Sequence, residues 1–221
     1  MDETWGTLRR ATSARDGSRL QAAAVDGGPR TTGARRAGQP PATVASATAP
    51  GPIHTAWLDS PLGPLLAAAC DEGIVLLEFG EPDRADAQLA ALCRLVGAPL
   101  GAGDHPLLRR LAHELAEYFA GTRRSFTLPL VDPGSDFQRR VWRALRDIPY
   151  GETCSYAALA AAVGHPRACR AVGNANRQNR IAILIPCHRV VNQDGRLGGY
   201  GGGIWRKKWL LALERGHPPL K

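Results

Sequence analysis

The residues best equipped for chemistry lie in one short run, Pro186-Cys187-His188-Arg189, which follows the apolar stretch Ile181-Ala182-Ile183-Leu184-Ile185 and precedes Val190-Val191. A thiol beside an imidazolium and a guanidinium is expected to lose its proton below the reference pKa of about 8.5, and the thiolate is the nucleophile. A cysteine after an apolar run is otherwise a small core hydrophobe, the reading taken for Cys70, Cys93, Cys154 and Cys169. Five cysteines without a close CxxC pair or a Cys/His cluster at zinc-ligand spacing read as reduced thiols with no metal site. The loop Gly198-Gly199-Tyr200-Gly201-Gly202-Gly203 lacks the strand-then-helix setting and the Lys-Ser/Thr ending of a phosphate-binding loop.

The elements that must position these residues fall into three stretches of different character. Residues 1–52 are rich in Gly, Pro, Ala, Ser and Thr without apolar periodicity, and are expected to be a disordered tail. Residues 53–133 begin with three short apolar runs, His54 to Asp59, Leu65 to Cys70 and Ile74 to Phe79, separated by turn residues and predicting a three-stranded antiparallel sheet. Apolar spacings of three and four over Ala87 to Val96 and Leu107 to Phe119 then predict two amphipathic helices, so this domain is a small α+β unit. In residues 134–221, Ser135 or Asp136 can cap a helix carrying Phe137, Val141, Trp142 and Leu145, and Ser155 can cap Tyr156 to Val163. Gly164-His165-Pro166 separates the latter from a helix over roughly Arg167 to Asn176, a helix-turn-helix pattern. The three stretches carry net charges of +3, −5 and +10, so the last is the one suited to meeting phosphate. The absence of an apolar leader or a transmembrane-length run predicts a soluble, cytoplasmic protein that does not engage membrane.

The run Ile185-Pro186-Cys187-His188-Arg189-Val190-Val191 resembles the active-site motif of the O6-alkylguanine-DNA alkyltransferases. The family's pattern recurs in register as Ser155-Tyr156, Arg170-Ala171-Val172-Gly173, Asn179, Gly198 to Gly203 around Tyr200, and Trp209-Leu210-Leu211 ending at Glu214. The likeness is dense over 134–221 and looser over 53–133, where Ser60-Pro61-Leu62-Gly63-Pro64 and Ile74 to Phe79 look closest to the repair half of bacterial adaptive-response (Ada-type) proteins. It implies a ribonuclease H-like first domain, then a winged-helix-like helix-turn-helix domain, working as a monomer on double-stranded DNA containing O6-alkylguanine, with no cofactor.

By the same resemblance Cys187 is the irreversible alkyl acceptor, His188 takes its proton through a water, Glu214 fixes the imidazole tautomer, and Asn179 braces the turn beneath the thiol. Tyr156 donates to the departing guanine, and Arg170 enters the duplex in place of the flipped base, on a helix lying in the minor groove with Ser155, Ala171, Gly173 and Arg177 as further DNA contacts. Val190, Tyr200, Gly201 and Lys207 surround the base. Gly201 stands where many relatives carry Ser, and Leu213 where many carry His, so those side-chain contacts do not transfer. Two other classes remain open: a non-catalytic alkylguanine-binding or Ada-like regulatory protein, for which a nucleophile is superfluous, and a cysteine hydrolase, for which Cys and His adjacent in sequence are poorly suited.

Overall fold

Turns at Ser60 to Gly63 and at Asp71-Glu72 fold the first apolar runs into strands β1 (His54–Leu58), β2 (Leu65–Cys70) and β3 (Gly73–Phe79). They form an antiparallel sheet in sequence order, with Trp57 opposite Leu66, Ala67 opposite Leu77, and an irregularity between Ala68 and Ala69. The computed structural model describes residues 51–80, 82–101 and 103–217, so the expected tail lies outside the described residues as far as residue 50. Every residue of β2 is buried, and Ile53, Leu66, Val75, Leu76 and Leu92 share one apolar cluster, the ordinary driving force for such a unit.

Helix α1 (Pro82–Val96) starts five residues before the first periodic apolar position. Proline at the first helical position sacrifices no hydrogen bond, and the polar residues that follow hide the start from a periodicity argument. Helix α2 (Pro106–Phe119) is capped by His105, whose Nδ1 accepts from the Leu107 amide at 3.2 Å, and buries Leu108, Leu111, Glu114, Leu115 and Tyr118 along one face.

Beyond Pro133, α3 (Asp136–Arg146) opens on a capping box between Ser135 and Gln138 and buries Val141, Trp142 and Leu145. The helix pair is α4 (Tyr156–Ala162) and α5 (Cys169–Arg177), both packed on α3. Ser155 caps α4 by accepting from the Ala158 amide at 3.0 Å. Two-residue strands β4 (Cys154–Ser155) and β5 (Val190–Val191) pair in parallel, and α6 (Ile204–Glu214) ends the described fold. Among the described residues no helix is long and apolar enough to cross a membrane.

The apolar run Ile181 to Ile185 is wholly buried, but it folds as tight turns, with Leu184 N donating to Ala182 O and Ile185 N to Ile181 O. Ile183 sits at φ 70°, where a β-branched residue is strained, so surrounding contacts must impose the bend. The run is anchored at its start: Leu77 N donates to Arg180 O at 2.8 Å and Ala182 N donates to Leu77 O at 2.7 Å, binding it to the outer edge of β3. It then leads into a single 3-10 turn, Cys187–Arg189.

Candidate active site

The bend at Ile183 turns the chain back so that one side chain can hold both its arms. Asn179 Oδ1 accepts from Ile181 N at 3.0 Å, while its Nδ2 donates to Ile185 O at 2.9 Å and contacts Cys187 Sγ at 3.1 Å. The same amide therefore braces the turn and points an N–H at the sulfur. Asn176, on the buried face of α5, donates to Cys187 O at 3.5 Å and keeps Oδ1 buried without a protein partner. Burial pushes the Cys187 thiol up, against the opposing Asn179 hydrogen bond and the charge of Lys207. The thiol thus holds its proton at neutral pH and requires a base, which corrects the expectation of a thiolate formed by flanking cations.

That correction has a geometric cause. Arg189 does not face the sulfur; its Nε donates to Glu214 Oε2 at 2.8 Å, its NH2 to Glu214 Oε1 at 2.9 Å and its NH1 to Ile148 O at 2.6 Å. His188 is fully buried, and burial pulls its pKa down despite Glu214, so the ring is neutral. Its Nε2 lies 2.8 Å from Glu214 Oε1. Burial alone would push the Glu214 carboxyl up, but His188 and Arg189 hold it well below the carboxylate range. A carboxylate only accepts, so the hydrogen-bond network assigns the proton to Nε2 and leaves Nδ1 as a lone pair. Nδ1 is buried and has no protein partner. Tyr118 Oη and the Gly151 amide also donate to Glu214, at 2.7 and 3.2 Å.

Cys187 opens onto a cavity of about 620 Å³ lined from both parts of the chain, including Glu78, Phe79, Asn179, Tyr200, Gly201 and Arg206. Arg177 lies on its rim and on an adjoining cleft of about 380 Å³ with Arg180 and Asn174. Tyr156, half-buried at the start of α4, packs where a Cβ on Gly198 would come within 3.2 Å of its ring, so glycine is what lets the loop approach. Gly202 plays the same part against Phe79, where a Cβ would sit 2.5 Å from the ring.

The other expected site residues are more dispersed. Arg170 and Ala171 are exposed on α5 and line neither cavity, Gly173 is half-buried facing the Tyr156 ring, and Ser155 is the α4 cap. Lys207 is buried with Nζ donating to Val190 O at 2.5 Å, and burial lowers its pKa to about 8. Neither Lys207 nor Val190 lines the cavity; both brace the strand that follows the thiol. Tyr200 buries its hydroxyl without a protein partner. Sequence reasoning missed Asn176, Tyr118, Glu78 and Arg206. Only Asn176 left a signal, a polar residue four positions after Val172 on the inward face of its helix.

The chain matches two family models, described as 6-O-methylguanine DNA methyltransferase, ribonuclease-like domain, over residues 53–131, and 6-O-methylguanine DNA methyltransferase, DNA binding domain, over residues 136–216. It is 43% identical over 157 residues to a methylated-DNA-protein-cysteine methyltransferase of Methanosarcina barkeri, covering 71% of this chain and 94% of that one. It is 45% identical over 167 residues to the Mycobacterium tuberculosis protein of that name, covering 76% of this chain and 95% of that one. The crystal structure of Mycobacterium tuberculosis OGT in complex with DNA superposes with a TM-score of 0.62 at 42% identity, covering 76% of this chain and 94% of that one. The enzyme from Pyrococcus kodakaraensis, 23% identical with a TM-score of 0.53, shares the fold. The chain belongs to the 6-O-methylguanine DNA methyltransferase family.

Proposed function

We propose that the chain removes the alkyl group from O6-alkylguanine in double-stranded DNA and keeps it on Cys187. The observation that carries this reading is a thiol held at 3.1 Å by Asn179 at the wall of an open cavity, followed by a neutral His188 whose Nδ1 is unpartnered. His188 Nδ1 takes the thiol proton, relayed by a water. Cys187 Sγ then attacks the alkyl carbon in a single displacement: the S–C bond forms as the C–O6 bond breaks, and the electron pair leaves on guanine O6. Tyr156 donates a hydrogen bond to the departing base, easing its negative charge. Glu214 and Asn179 are positioning residues. The product is an uncharged thioether with no leaving group for water to displace, so each molecule acts once.

Residues 53–133 form the supporting domain and 134–221 the DNA-reading domain, whose net charge of +10 suits phosphate. The α4–α5 pair lies in the minor groove, Arg170 fills the gap left by the flipped base, and Ser155, Ala171, Gly173 and Arg177 line the DNA face. Tyr200 and Gly201 close over the base, with Val190 and Lys207 holding the strand behind it. Five free cysteines suit a monomer in a reducing cytoplasm. Mixing the protein with a duplex bearing one O6-methylguanine tests the reading by mass. The expected result is one methyl group on the peptide containing Cys187, equal in amount to the protein added. Binding without a mass change, or release of a cleaved fragment, overturns it.

A further inference from the structure

We propose that Tyr118 is a positioning residue for alkyl transfer, acting on His188 through Glu214. The proposal rests on the His188–Glu214 relay just described. Tyr118 lies on the buried face of α2, ninety-six residues before its partner, and its ring is fully buried. Its hydroxyl donates at 2.7 Å to Glu214 Oε1, the same oxygen that receives His188 Nε2 at 2.8 Å. Arg189 NH2 reaches that oxygen as well, at 2.9 Å, while Arg189 Nε and the Gly151 amide take Oε2.

Three donors crowded on one oxygen have two consequences. The first is geometric: the phenol comes from an element that carries neither the thiol nor its base, so it fixes the carboxylate independently of the turn that holds Cys187 and His188. The second is electrostatic. Each extra donor withdraws negative charge from Oε1, so the imidazole faces a weaker acceptor and stays less basic than an unshared carboxylate would make it. A relay that must stay neutral to accept the thiol proton, deep in a desolvated site, gains from this restraint. The phenol stays a donor throughout, because burial and the Glu214 charge push its own ionisation well above the tyrosine range. The charged and titratable groups facing this set are Cys187 and Arg189 from the 3-10 turn, Lys207 and Glu214 from α6, Tyr118 from α2, and Tyr150, whose ring lies beneath both Arg124 and Arg189. Among them Tyr118 is a neutral donor on the carboxylate, and it can be altered without changing net charge.

The test is the pH dependence of the second-order rate of transfer from free O6-benzylguanine, which needs no DNA binding. In the unsubstituted protein the rate falls at acid pH as His188 becomes protonated. Tyr118→Phe keeps the ring and deletes the donor, so the acid limb should move up by about half a pH unit, a roughly threefold loss at a fixed pH on that limb. Replacing Tyr118 with 3-fluorotyrosine, a stronger donor of nearly the same shape, should move the limb the other way, and it decides the matter if the Phe variant does not fold. In a Glu214→Gln background neither change at 118 should move the limb further. A limb unmoved by either variant, or moved equally without the Glu214 carboxylate, overturns the proposal. Failure of the unsubstituted protein to accept the benzyl group would instead overturn the reading of the site itself.

Discussion

Two glutamates, Glu114 on α2 and Glu214 on α6, are buried with arginine partners, yet their surroundings differ in kind. Glu114 receives Arg110 Nε at 2.9 Å, the Thr127 amide and hydroxyl at 3.1 Å each, and Arg123 at 3.4 Å, partners that pin residues 123–127 against the helix. Arg110 still reaches solvent, and Arg123 carries the group on to the half-buried Glu117 at the surface of the same helix. Glu214 instead faces a neutral imidazole whose far nitrogen is buried and unpartnered. A buried carboxylate whose neighbours are all satisfied holds structure together; one that leaves a neighbour's lone pair open has prepared that lone pair for something else. One helix touches both, since Tyr118 lies one turn beyond Glu114.

If this contrast is right, substitutions should separate activity from stability along it. The largest effect is expected at the thiol: Cys187→Ser should abolish alkyl gain by mass while DNA binding in a gel-shift titration stays near that of the unsubstituted protein. Glu214→Gln comes next, slowing transfer by roughly 10²- to 10⁴-fold through loss of the tautomer that accepts the proton. It should also cost about 3 to 5 kcal/mol in urea unfolding, because Arg189 is left buried without its partner. That stability gap has a pH signature. The folded pKa of Glu214 is depressed, so its contribution is complete above the unfolded value of 4.5 and fades as pH falls below it. The gap between the two proteins should therefore narrow in acid; a gap independent of pH would mean the carboxylate charge is not what stabilises.

Arg170→Ala should slow transfer from duplex about tenfold, a little over 1 kcal/mol, and leave free O6-benzylguanine unaffected, since a free base needs no extrusion. Equal losses on both substrates would place this exposed residue in the pocket. Glu114→Gln should have the smallest effect on chemistry: about 1 to 3 kcal/mol of stability lost, with the transfer rate of the folded protein unchanged. A slowed rate there would erase the distinction between the two carboxylates.

Local signals carried much of this into the sequence. Turn residues at Gly63 and Gly73 and short apolar runs delimited β1 to β3 nearly to the residue, and Ser135, one of two candidates, and Ser155 announced the caps of α3 and α4. The structure brings Cys187 beside Asn179 and His188 beside Glu214, positions that a short motif and its register had singled out. The direction of Arg189 was not legible, since adjacency says nothing about which way a side chain turns out of a 3-10 turn. Nor was the bend at Ile183, where a run of Ile, Ala and Leu reads as buried but tertiary contacts impose the left-handed backbone. Tyr118 was beyond reach because its partner lies in another element, and periodicity marks only that it faces inward.

The pairing of Leu77 with Arg180 and Ala182 bears on how the molecule fails as well as how it works. A three-stranded sheet has two open borders, and unpaired amides along a border invite other chains to add strands. Here Ile53 bridges to Leu100 beside β1, and Ile74 and Leu77 bridge to Leu130 and Ile181 along β3. The segment that delivers the nucleophile thus also seals part of the sheet. A fragment ending near Pro133 would leave the Leu77 amide and carbonyl bare in an apolar strand, a template for aggregation. The residues that close this border run on directly into the turn that holds Cys187, so whatever unfolds that turn uncovers the strand as well.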